Sequence, residues 1–133
     1  MINGIDKALA FQGKALELRA YRQQILASNI ANADTPNYKA MDIDFASAMR
    51  QAQAGTTSVG MAKTAAGHMD GKGGALAGIK PMYRTPSQPS IDGNTVDSNI
   101  EQAKFSENAL QYMASLQFMT GDIRDINLAL KGS

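Results

Sequence analysis

Eight apolar residues in the C-terminal third of the chain, Phe105, Ala109, Tyr112, Leu116, Met119, Ile123, Ile126 and Leu130, are spaced 4-3-4-3-4-3-4. A heptad period held this long predicts an α-helix from about 98 to 131 with a coiled-coil seam. Such a stripe cannot be buried by the helix that carries it, so at least one other helix must cover it. Ser98 and Glu101 form a capping box at its start, with Asp97 as the alternative cap. Gly132 suits the C-cap. Gly121 lies inside the pattern and weakens the helix by ~1 kcal/mol relative to Ala.

The only other long periodic segment runs from residue 3 to about 33. Phe11, Ala15, Leu18 and Ile25 lie on one stripe, with Arg22 in the gap. Ile2, Ile5, Leu9, Leu16 and Ile30 lie on another. Leu9 and Phe11 are two residues apart and so point about 200° from one another. A helix apolar on two sides needs two neighbours. One is the C-terminal helix, and a neighbouring subunit is the expected second. The helix ends in a cluster of Asn29, Asn32 and Asp34, whose side chains can bond the backbone groups released there. Thr35 precedes Pro36 and is pushed out of the helical region. Pro36 suits the first central position of a turn, and Asn37 the second, where it tolerates positive φ.

Between the helices the chain changes character. Residues 51–80 are rich in Gly, Ala, Thr and Ser, with seven glycines from Gly55 to Gly78 and no sustained period. They read as a flexible or weakly β arm. Three prolines between Lys80 and Asn94 keep residues 81–97 extended, with room for short strands, and Asp92-Gly93 signals a turn. The predicted architecture is mainly α. Residues 1–50 hold the first helix and its turn, 51–80 the arm, 81–97 an extended loop, and 98–133 the second helix. The two long helices pair as a coiled-coil-like hairpin.

At 133 residues the chain is one domain at most. Net charge is +1 with acids and bases interspersed, which argues against the basic patch of a nucleic-acid binder. No run approaches the ~20 apolar residues of a membrane span, so no membrane insertion is expected. Asp6, Lys7, Lys14, Glu17 and Arg19 exclude an apolar signal-peptide core. Without cysteine there is no disulfide or thiol chemistry. On composition alone the chain is cytosolic. The one histidine, His68, lies in the Gly-rich arm with Asp70 nearby, where no nucleophile–base pair can be held to tolerance. Asp42 and Asp44 have carboxylate-pair spacing but lack the further ligands of a calcium loop, and Asp44 suits a helix cap. Gly71-Lys72-Gly73-Gly74 is no Walker loop. Met113 and Met119 fill the seam. No catalytic, cofactor or metal residue is assigned, and no enzyme is expected.

Ala31-Asn32-Ala33-Asp34-Thr35-Pro36-Asn37-Tyr38 is similar to the Ala-Asn-x-x-Thr-Pro-x-Tyr signature of bacterial flagellar rod and hook proteins. Asn37 stands where that family usually has Gly, and it fits the same turn. Two further segments resemble the proximal rod proteins at the base of the rod. One is Asp42-Ile43-Asp44-Phe45. The other is Ser90-Ile91-Asp92-Gly93-Asn94-Thr95-Val96-Asp97. The resemblance covers roughly residues 1–50 and 80–133. Thr64 and His68 resemble a Thr…His pair of the family that carries no chemistry.

The resemblance implies a structural subunit of the basal-body rod, part of the axle that carries torque from the membrane ring to the hook. It implies export through the flagellar type III apparatus without a cleaved signal, and residence in the periplasmic rod. Implied partners are copies of the chain, other rod proteins, the rod-to-membrane-ring junction protein and the export apparatus. Assembly would use a seam of Phe11, Leu18 and Ile25 on the first helix. On the second it would use Phe105, Tyr112, Leu116, Met119, Ile123, Ile126 and Leu130. Phe45 and Met49 fit a Phe-x-x-x-apolar segment read by the export gate; by spacing alone they share one side of a helical turn. The alternative is a cytosolic helical adaptor or chaperone-like module that binds a partner helix in a groove, or another rod component. Composition and the seams leave that choice open; the two turn motifs favour the rod.

Overall fold

The structure, a computed structural model, describes residues 2–54 and 78–132. Within them the order of elements is α1 (Ile2–Ala31), β1 (Met41–Asp42), α2 (Phe45–Gln53), β2 (Met82–Tyr83) and α3 (Ser98–Lys131). At 1.5 Å per residue α1 is ~45 Å long and α3 ~51 Å. They lie side by side and antiparallel: Asn29 meets Glu101 near one end, and Gln12 meets Asp122 near the other. β1 and β2 pair antiparallel, with Met41 opposite Tyr83 and Asp42 opposite Met82. The expected helical hairpin is therefore present, with a small ladder at its closed end. Most of the expected arm, including Thr64, His68, Asp70 and Gly71–Gly74, lies outside the described residues. The first segment extends past its expected limit at residue 50, because α2 continues to Gln53.

α2 forms because Asp44 caps it. The carboxylate accepts from the backbone N–H of Ala46 at 3.2 Å and from the Ser47 hydroxyl at 2.6 Å. Ala48, Met49 and Ala52 then face inward and are buried. They meet Leu18 and Ile25 of α1 and Ile43 after β1, and this is the core. Phe45 packs at its edge under the Arg19 guanidinium, 4.5 Å from the ring centre. Lys14 Nζ donates to the Ala52 carbonyl at 2.7 Å and ties down the far end of α2.

No buried apolar residue of the core lies on α3. This differs from the expectation of an apolar seam between the long helices. Phe105, Tyr112, Met119 and Ile126 are half-buried, but Leu116, Ile123 and Leu130 are 46%, 40% and 79% exposed. The fully buried residues of α3 are Glu101 and Asn108. The physical reason lies on α1. Its Leu18–Ile25 stripe is taken by α2, and the edge it turns toward α3 mixes the polar Gln12, Arg19, Gln23 and Asn29 with the fully buried Leu26. Phe11, expected on the seam, is exposed. The capping box is not formed either: Asp97 caps α3 through the N–H groups of Asn99 and Ile100, and Glu101 points into the interior. Gly132 ends the helix with φ 64°.

Leu18→Ala should therefore lower stability by about 2–5 kcal/mol, the range for a buried leucine. Leu128→Ala, on an exposed face of α3, should change it by no more than about 0.5 kcal/mol. Urea denaturation of the two variants checks where the core lies.

Candidate functional site: the junction of the two turn motifs

The chain leaves α1 in a short series of turns. Asn32, Ala33 and Thr35 bond back to the residues just before them. Tyr38 N–H then bonds the Thr35 carbonyl at 3.3 Å, closing a turn with Pro36 and Asn37 at its centre. Asn37 has φ 60°, as its place in the turn predicts. Unwinding a helix in this way leaves carbonyls without partners. Asn94, buried and remote in sequence, supplies one. Its Nδ2 reaches the carbonyls of Asn32, Ala33 and Thr35 at 3.0, 2.7 and 2.9 Å. Its Oδ1 accepts from Val96 N–H at 2.7 Å.

The rest of the second motif closes on the first. Asn37 N–H bonds the Asp92 carbonyl at 2.9 Å, and Thr95 N–H bonds the Tyr38 carbonyl at 3.0 Å. Thr95 Oγ1 accepts from Ala40 N–H at 2.8 Å. Lys39 Nζ donates to the Gly93 carbonyl. Asp92 accepts from Asn94 N–H and the Ser90 hydroxyl, and the latter bond does most to hold its pKa below the ordinary carboxylate value. Asp34 and Pro36 are exposed. The structure thus brings together the two segments singled out in the sequence, as one junction that sets how α1 leads out and α3 leads in.

A charged layer lies directly beneath. Asn29 is fully buried and exchanges two bonds with Met41, Nδ2 to the carbonyl at 2.7 Å and Oδ1 from the N–H at 3.1 Å. It takes the place of a strand beside β1. Nδ2 also reaches Glu101 Oε2 at 2.9 Å, and Tyr38 OH donates to Oδ1 at 3.4 Å. Arg84 spans Glu101 and Asp42, and Arg22 grips Asp42 with two bonds of 2.9 and 3.0 Å. Two guanidiniums thereby balance two carboxylates. Burial pushes the Asp42 pKa upward. The Arg22 bond, the Ile43 N–H and the positive charges of Arg22 and Arg84 outweigh it and hold the carboxyl below its ordinary value. The same bond raises the pKa of Arg22.

Sequence reasoning missed this layer. Arg22, a charge in the gap of an apolar stripe, was the one visible signal for it. Nothing in the sequence marked Arg84. Asp42 and Asp44 do not converge: one is paired with arginine and the other caps α2. Among the described residues no group of His, Cys, Asp or Glu could hold a metal ion, and no helix is long and apolar enough to cross a membrane. The expected seam residues do not gather at this junction. Leu18 and Ile25 are in the core, and the α3 residues run away along the hairpin. Phe45 and Met49 share one side of α2, with Met49 buried.

Residues 9–39, most of α1 and the turn that follows it, match the family described as flagella basal body rod protein. Whole-length relatives make the assignment specific. The flagellar basal body rod protein FlgB of Escherichia coli is 45% identical over 128 residues, covering 93% of each chain. That of Salmonella typhimurium is 41% identical over 136 residues, 99% of each chain. That of Cereibacter sphaeroides is 41% identical over 131 residues, 98% of this chain and 99% of the relative. The chain belongs to the FlgB family of flagellar basal body rod proteins and is a structural component of the rod.

Asp42→Asn should cost roughly 3 kcal/mol at neutral pH, the low end for breaking a mostly buried ion pair. Because the folded pKa of Asp42 lies below its unfolded value, its contribution is complete above the unfolded pKa and is lost as pH falls through the folded one. The stability gap between the natural chain and Asp42→Asn should therefore close on acidification. Denaturation curves at a series of acid pH values check this; a gap that stays constant would contradict it.

Proposed function

We propose that the chain acts by packing rather than catalysis, as a rod subunit whose outward helix faces bind copies of itself and other rod proteins and pass torque along the axle. One observation carries this reading. Eight large apolar residues of α3, Ile100, Leu110, Met113, Leu116, Phe118, Ile123, Leu128 and Leu130, are exposed in the single chain. At helical spacing they occupy more than one side. A helix that stays in water does not present such faces. Several neighbouring helices would cover them, as in the interior of a tube. The membrane-ring junction protein and the export apparatus are the further partners of this reading.

Phe45 and Met49 remain the export-gate residues of the proposal. Met49 is buried and Phe45 partly so, which means the pair is available to a receptor only before the chain folds. Assembly and export should then separate. Leu116→Asp, at an exposed position, should leave the stability of the isolated chain within about 0.5 kcal/mol of the natural one. It should still reach the periplasm and build no rod, leaving cells non-motile. Phe45→Ala should stay in the cytoplasm. Swimming assays and cell fractionation in a strain lacking the natural chain decide both. Normal swimming with Leu116→Asp would sink the packing role of this face. Equal periplasmic amounts of Phe45→Ala and natural chain would sink the export role.

A further inference from the structure

α3 carries three columns of residues at seven-residue spacing. Glu101, Asn108, Ser115 and Asp122 are polar. Phe105, Tyr112, Met119 and Ile126 form an apolar column beside them, and Ala109, Leu116, Ile123 and Leu130 a second apolar column beyond. Neighbouring columns are about 40° apart around the helix, because four residues exceed one turn by that much. Either the first two columns or the last two make a regular 4-3 seam for α1.

Apolar burial alone favours the last two, whose one polar group is the Tyr112 hydroxyl. The structure uses the first two. Room for the other choice exists. An open apolar groove of about 430 Å³ separates Ala20, Gln24 and Ala27 of α1 from Ala109, Tyr112 and Met113 of α3. Turning α3 by one column would close that groove and take Leu116 and Ile123 out of water.

Hydrogen bonds from the polar column oppose that turn. Asn108 Nδ2 donates to the Arg19 carbonyl at 2.9 Å and to Gln23 Oε1 at 2.6 Å. Gln23 Nε2 reaches back to the Phe105 carbonyl at 3.4 Å. Gln12 Nε2 bonds Asp122 Oδ2 at 2.6 Å further along. Each helix therefore bonds the other's backbone through a carboxamide whose reach permits one facing. A polar position in a helical seam selects one arrangement at a cost in burial.

We infer that Gln23 and Asn108, supported by Gln12 and Asp122, are positioning residues that lock the rotation of α3. They keep its Ala109–Leu116–Ile123–Leu130 column outward for a neighbouring helix instead of letting the chain's own hairpin bury it. The purpose of the outward column rests on the packing function proposed above; the lock itself does not.

The natural chain has no cysteine, so single cysteines report local exposure cleanly. Leu116→Cys reports the outer column, and Ser115→Cys the inner one. Maleimide labelling of the full isolated chain, with helicity followed by circular dichroism, gives the ratio of the two rates. In the natural background position 116 labels faster than 115. Gln23→Leu/Asn108→Leu removes both partners together and so leaves no buried orphan from the pair. Gln12→Leu/Asp122→Leu does the same far from the core. Inversion of the ratio in either background, with labelling at 116 slowed several-fold, supports the lock. Failure of both to invert it, whether through an unchanged ratio or through loss of helicity, overturns it. Labelling of the isolated chain reads rotation alone. Normal swimming with Leu116→Asp would defeat the packing function and leave this ratio unaffected.

Discussion

A helix that unwinds leaves backbone carbonyls without their helical partners, and each costs free energy until something donates to it. At the end of α1 the turn's own N–H groups meet the carbonyls of Asn32 and Thr35, and the carboxamide of Asn94 donates to both and to the Ala33 carbonyl between them. Much else follows from that contact. It draws the extended segment before α3 against the turn after α1. That places Thr95 on the chain leading into β1, Arg84 over Asp42, and Glu101 beside Asn29. The antiparallel register of two helices longer than 40 Å is thereby set at one end by side chains from a few short loops.

The interior is divided between two chemistries. Apolar contact holds α2 to α1 around Leu18 and Met49. Between α1 and α3 polar contacts stand beside a half-buried apolar column of Phe105, Tyr112, Met119 and Ile126. Burial is non-directional and tolerates sliding or rolling, whereas a paired carboxamide or guanidinium does not. The polar half accordingly does more to specify geometry than to stabilise it. The apolar residues that would have stabilised the helix pair, Leu116 and Ile123 among them, remain on the outside of α3.

Much of this was legible in the residues. The two long helices followed from the period of their apolar residues, and the turn followed from Pro36 and Asn37. The Asp44 cap was visible as well. The facing of α3 was not. Its 4-3 apolar pattern marks a helix, but periodicity cannot say which of two adjacent columns meets the intramolecular partner. The proposed lock assigns that choice to Gln23 and Asn108, which a hydrophobicity pattern treats as surface. The joining of the two turn motifs was equally hidden. It depends on contacts between segments some sixty residues apart, and one sequence carries no signal for such pairings. Arg84 lies in a Pro-rich stretch with no period at all, so its role in the charged layer became visible only in three dimensions.

Gly93 has φ 74°, and a Cβ built there would come within 2.5 Å of Asn37 Oδ1. Asn37 itself has φ 60°. Two residues of left-handed backbone thus stand face to face, and the space between them holds one side chain. The two loops are consequently not free to diverge independently. A side chain at 93 would have to adopt left-handed backbone and push the Asn37 carboxamide aside, so what position 93 can carry depends on what stands at 37.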